Sequence, residues 1–159
     1  MVLVLTMASG CGYSQQEIYP DHVQTVAIPL FENRTFYQGV EFDLTEALVK
    51  EIELRTPYKV ISNENAADTR LAGTVRAIEQ AQLRRRRPGG LPQEMEVTVT
   101  VDFEWRDLQT QDILAGAPGL AEVGTYLPSD PVSEPFEIAQ HDAVEKLAAA
   151  IVSRLQSDW

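Results

Sequence analysis

One cysteine, two histidines and thirteen lysine and arginine residues among 159 positions make a sparse chemical inventory. A lone Cys11 excludes an intramolecular disulfide, so burial alone must hold the fold even in an oxidising compartment. No stretch has the ~20 consecutive apolar residues that a spanning helix needs. Cations are outnumbered by 24 acids, leaving a net charge of −11, and such a surface repels phosphate backbones, which argues against nucleic acid as a partner. His22 and His141 each stand beside an aspartate, one at a strand start and one off a helix's apolar stripe, and both read as exposed. No His-x-x-x-His or cysteine cluster offers a metal site. The acids fall on helix faces and outward strand positions, where they read as solvated surface. No acid, base and nucleophile can be assembled, so the chain is expected to be no enzyme and to carry no cofactor.

What is present starts with Met1-Val2-Leu3-Val4-Leu5-Thr6-Met7, a short apolar run that lacks leading positive charge and closes on Ala8-Ser9-Gly10 before Cys11. Small residues beside a scissile bond and a thiol just after it are the pattern of a bacterial lipoprotein signal. The expectation is a signal peptide at 1–10, lipidation of Cys11, a polar spacer over 11–22 and one domain over 23–159. With 44% apolar and 23% charged residues, that domain has the composition of an ordinary folded chain.

Val23–Ile28 is β-rich and stops at Pro29, while Pro29–Gly39 mixes aromatics with turn formers. Asp43 with Glu46 three residues on suggests a capping box, opening a helix to about Arg55. Its stripe is Leu44, Ala47, Leu48, Ile52 and either Leu54 or Arg55, with Thr56-Pro57 ending it. Tyr58–Ile61 reads as a short strand, Ser62–Thr69 as a loop or brief helical turn, and Leu71–Glu79 as a strand running on toward Leu83. Met95–Arg106 alternates without a fault, so Met95, Val97, Val99, Val101, Phe103 and Trp105 share one face. The two long strands form a hairpin with Arg87–Pro92 as its turn. Asp107–Asp112 is a second turn, and Gly116-Ala117-Pro118-Gly119 is expected to interrupt before a strand at Ala121–Tyr126. Ser133 and Pro135 should open a final helix with Phe136, Ala139, Ala143, Leu147, Ile151 and Leu155 on its apolar side. The class is α+β: a two-layer sandwich of two amphipathic helices on a mostly antiparallel or mixed sheet of about four strands.

Arg84, Arg85, Arg86 and Arg87 stand at or near the hairpin tip and concentrate four of the thirteen cations. Guanidinium forks bind phosphate and carboxylate bidentately, so the run is the candidate contact for an anionic glycolipid. A solubilising or acid-docking tip is the other reading. Asn33-Arg34-Thr35 spells a glycosylation acceptor, which a bacterial lipoprotein start makes incidental.

Val26–Phe36, with its Ile-Pro-Leu-Phe-Glu-Asn-Arg-Thr segment, the helix Leu44–Leu48, the strand Leu71–Val75 and the turn Trp105–Leu108, all behind a lipobox, resemble the LptE-related lipopolysaccharide-assembly lipoproteins. The resemblance implies an outer-membrane lipoprotein, not an enzyme, that plugs and helps assemble the LptD-type β-barrel and assists lipopolysaccharide delivery to the outer leaflet. Gly12, where an aspartate would signal inner-membrane retention, implies sorting to the outer membrane. Two features depart from the family pattern: Ala8 in the lipobox where Leu is commoner, and Gln111 where a glycine often follows Thr110, which suggests another turn geometry. The same opening also resembles lipoproteins that regulate a cell-wall synthase or build a secretion channel.

Overall fold

The alternating run that starts at Met95 becomes the spine of a sheet. The structure, a computed structural model, describes residues 22–82, 94–127 and 136–156. These hold strands β1 Thr25–Ala27, β2 Glu32–Asn33, β3 Lys59–Ile61, β4 Thr69–Gln82, β5 Met95–Asp107 and β6 Ile113–Tyr126. They also hold helices α1 Val40–Arg55 and α2 Phe136–Leu155. The strand order is β3-β1-β4-β5-β6, with β2 lying separately along β4. β1 pairs parallel with β3 and β4, and β2 parallel with β4, whereas β4–β5 and β5–β6 are antiparallel. The class is the expected α+β sandwich with a mixed sheet. The strand count is a correction, six in place of about four: β1 and β3 lie within the two short segments that read as strands, whereas β2 has only two residues and carries no period to read.

One face of the sheet carries the core. Val97, Val99, Val101, Phe103 and Trp105 are all buried, with Leu71 and Val75 of β4 beside them. α2 covers β5 and β6 and packs on α1. It presents Ala139, Ala143, Val144, Leu147, Ala148, Ile151, Val152 and Leu155, an apolar face of the width that helical periodicity allows. The helices run parallel: Tyr37, ahead of α1, stacks on Phe136 at 5.0 Å, while at the other end the Arg55 guanidinium donates to Ser153 Oγ (3.1 Å) and the Ala149 carbonyl (3.3 Å). Gly124 lets the layers close, since a Cβ there would overlap the Ala139 carbonyl oxygen.

Three further expectations are corrected. α1 starts at Val40, not at a capping box on Asp43: its N-cap is Gly39 at φ 97°, with no side-chain cap, and the Glu41 carboxylate accepts from the Gly39 N–H at 3.1 Å. The buried stripe is Val40, Leu44, Leu48 and Ile52, and Leu54 is exposed because it lies nearly 100° off that line. Gly116–Gly119 does not interrupt β6. The strand is at the sheet edge, where Pro118 forfeits no ladder bond, and a bulge places Pro118 and Gly119 opposite Asp102, whose Oδ1 accepts from the Gly119 N–H at 2.6 Å. The expected cap at Ser133 and Pro135 lies outside the described residues.

Candidate functional site

The second face of the sheet is uncovered among the described residues. The positions of β5 that alternate with its core row, Thr98, Thr100, Asp102, Glu104 and Arg106, are only partly buried there. Arg70, Thr74 and Arg76 of β4 flank them, paired in register with Arg106, Asp102 and the bulge that follows Val75. Ion pairs lace this face. Arg76 Nε lies 3.3 Å from Asp102 Oδ2, Arg106 Nη2 2.6 Å from Glu104 Oε1, and Arg70 Nε 3.2 Å from Glu64 Oε1. Such exposed pairs add little stability, so their effect is to keep a wide strand surface polar and both signs locally balanced. A shallow groove of ≈ 600 Å³ crosses it, floored by Ala72, Gly73 and Gly116 and walled by Leu30, Glu32 and Pro118. Ala72 and Gly116, register-matched on either side of Glu104, create the groove, since of the three only Glu104 projects far.

The Pro29–Phe36 segment borders this face and is organised by packing and hydrogen bonds. Phe31 is buried against Gly73, where any Cβ would overlap its ring, and its N–H donates to Thr45 Oγ1 at 3.3 Å. Asn33 is the hub. Its Nδ2 donates to the Tyr37 carbonyl and to Glu41 Oε2, both at 2.7 Å, and its Oδ1 accepts from the Thr35 N–H and hydroxyl, both at 2.8 Å. The side chain therefore replaces backbone partners across a turn, which is why asparagine followed two residues on by threonine suits it. Arg34 N–H donates to the Val75 carbonyl at 3.0 Å, fixing the turn to β4.

A second polar cluster sits where residue 22 meets the sheet. Asp107 is 1% exposed, and its Oδ1 accepts from the N–H groups of Gln109 (2.7 Å) and Thr110 (2.9 Å), while Oδ2 lies 3.0 Å from His22 Nε2. Asp68 Oδ2 accepts from the N–H groups of Gln24 (3.0 Å) and Thr25 (2.9 Å) and from the Thr25 hydroxyl (2.8 Å). Backbone hydrogen bonds hold both carboxyls below the ordinary carboxylate range, that from Thr110 foremost for Asp107 and that from Gln24 for Asp68. The Asp107 turn carries Gln111 at φ 68°, so it keeps the left-handed residue a glycine would supply, contrary to the expected change of geometry.

Cys11 and Arg84 to Arg87 lie outside the described residues; the run falls in the connection between Gln82 and Met95, which pair with each other. His22 is largely exposed, as expected, but its ring meets a buried carboxylate that no local pattern announces, because 85 positions separate the two. His141 is exposed with Glu145 Oε1 at 3.6 Å. Among the described residues no three His, Cys, Asp or Glu side chains gather to hold a metal ion, and no helix is long and apolar enough to cross a membrane.

Comparison with solved structures places this fold among several bacterial proteins. The PelC dodecamer from Paraburkholderia phytofirmans is 16% identical, with a TM-score of 0.55 over 87% of this chain and 93% of that one. A hypothetical protein from Chlamydia trachomatis is 9% identical, with a TM-score of 0.57 over 86% and 97%. A protein from Xanthomonas campestris is 12% identical, with a TM-score of 0.57 over 82% and 81%. These likenesses concern the fold alone. No curated protein sequence matches the chain. The model of a lipopolysaccharide-assembly family, LptE, matches residues 23–155.

Proposed function

Because the chain belongs to the LptE lipopolysaccharide-assembly family, we propose that it is an outer-membrane lipoprotein, acylated at Cys11, that plugs and helps assemble an LptD-type β-barrel and assists lipopolysaccharide delivery to the outer leaflet. The family is one of non-enzymatic lipoproteins, and in this reading the chain's role is structural and assembly-directed. The observation that carries the reading is the open face of β4, β5 and β6. It is broad, polar, charge-balanced and uncovered by any described element. The lumen of an outer-membrane barrel is itself polar, so such a face can be enclosed without burying unpaired charge. In this reading the signal peptide spans 1–10, the spacer 11–22 keeps the domain near the membrane, and Arg84 to Arg87 contact the anionic head group of the glycolipid.

The test is affinity capture of the Cys11-acylated protein from detergent-solubilised outer membranes, followed by mass spectrometry. A large β-barrel in near-equal amount is expected. Its absence, with a cell-wall synthase or a ring of this chain in its place, overturns the reading. The same preparation carrying Arg84→Ala to Arg87→Ala together should retain the barrel and lose glycolipid, and undiminished glycolipid refutes the contact.

A further inference from the structure

The turn around Asn33 is held far more firmly than an exposed loop requires. Four hydrogen bonds converge on one side chain, Tyr37 is stacked on Phe136, Thr35 Oγ1 accepts from the Tyr37 N–H at 3.2 Å, and the Arg34 backbone is bonded to β4. Yet Phe36 in this turn is fully exposed at 103%, and the Arg34 side chain two positions before it is 72% exposed. A turn held this way has already lost the backbone entropy that ordering it on binding would otherwise cost, and it presents two residue types enriched in interfaces. We propose that Arg34 and Phe36 form a preorganised anchor that inserts into an apolar pocket, its mouth lined by neutral carbonyl or amide oxygens, on the inner wall of the β-barrel partner. This rests on the assembly reading above and names its point of contact.

Charge decides between a protein pocket and a lipid surface. The chain carries −11 overall, and Glu32, Glu41 and Asp43 flank the anchor, so an anionic lipid surface repels this region. A rigid single aromatic also gains nothing over a flexible one in fluid acyl chains, whereas a shaped protein pocket rewards it. The guanidinium, loosely held by Glu32 at 3.5 Å, is free to exchange that partner for, or add, a neutral carbonyl or amide oxygen at the pocket mouth.

The experiment replaces Phe36 with photoreactive benzoylphenylalanine in the full-length lipoprotein and irradiates intact cells, with the same group at Leu54, 74% exposed on the last turn of α1, as the control. An adduct with the barrel from position 36 and none from position 54 is expected. Adducts with lipid alone, with another protein alone, or none at all overturn the anchor. Phe36→Ala should leave the circular dichroism spectrum and unfolding midpoint unchanged, since the ring touches nothing it would leave empty, while barrel capture falls by about tenfold or more. Unreduced capture also overturns it. A wild-type pull-down that contains the barrel while position 36 yields no adduct removes this contact alone, whereas a pull-down without the barrel removes the functional reading itself.

Discussion

Replacing Gly124 by alanine puts a methyl group where the backbone of α2 already runs. The added carbon would overlap the Ala139 carbonyl oxygen and stand 2.7 Å from its carbonyl carbon and 3.1 Å from its Cα. Ordinary carbon–carbon contact is about 3.7 Å, so the first turn of α2 must retreat by at least about 1 Å. No side-chain rotation relieves this, because the obstacle is main chain. The retreat also loosens Ala139, Ala143 and Leu147 against the sheet, all of them fully buried, and a gap of that size forfeits a quarter to a half of each contact's attraction. Overpacking costs about 1–3 kcal/mol when side chains can yield; a backbone obstacle belongs at the upper end, about 3 kcal/mol. For a chain of this length that lowers the unfolding temperature by about 6–12 °C. Gly116→Ala is the matched control: its Cβ would lie 3.1 Å from the Phe103 carbonyl oxygen but on the open face, and under about 1 kcal/mol is expected. Urea unfolding followed by circular dichroism measures both. If Gly124→Ala costs less than about 1 kcal/mol, or no more than Gly116→Ala, the close approach of α2 to β6 is refuted.

Gln111 holds φ 68°, so Gln111→Gly should raise stability by about 0.5–1 kcal/mol, net of the lost bond from Nε2 to the Leu108 carbonyl; a lower thermal midpoint would contradict the strain. Asp68 and Asp107 have folded pKa values held below their unfolded ones. Their contribution is therefore complete above about pH 5 and is lost as the pH falls through the lowered folded values, below about 4. Asp107→Asn should cost about 1–3 kcal/mol at pH 7, with the gap to wild type narrowing in acid. Stability curves that stay parallel from pH 7 to pH 3 would show that the carboxylate charge contributes nothing.

Long periodic elements were legible in the residues themselves. The alternation through Val97 and Trp105 and the stripe of Ala139, Leu147 and Leu155 each specify a buried face without help from elsewhere, and both faces are buried as read. What escaped depends on partners distant in sequence. β2 exists because β4 accepts it as a parallel neighbour, not because two residues have a pattern, and nothing within β1 or β3, though each reads as a strand, announces that they pair in parallel. The start of α1 depends on Gly39 and on Glu41 serving both Gly39 and Asn33, an arrangement no capping motif announces. β6 passes through Pro118 because it lies at an edge, and edge position is a property of the finished sheet. At the candidate site the Ile28–Thr35 signature was visible, but its physical content was not: Phe31 fills the space over Gly73 and Asn33 ties the turn together. The buried Asp107 looked like one more surface acid in a turn.

The placement of α2 bears on how the chain reaches its final state. β4, β5 and β6 follow one another as neighbours and can pair as each emerges, whereas the wall that closes over them is the last described element, Phe136–Leu155. Until those residues are available, the apolar row from Val97 to Trp105 stays open to solvent, together with the Leu44, Leu48 and Ile52 side of α1 that shares its core. A nascent chain, or one cut short before Phe136, is therefore in its most aggregation-prone condition when most of the sheet already exists. The final helix therefore shields the apolar face as well as completing the fold.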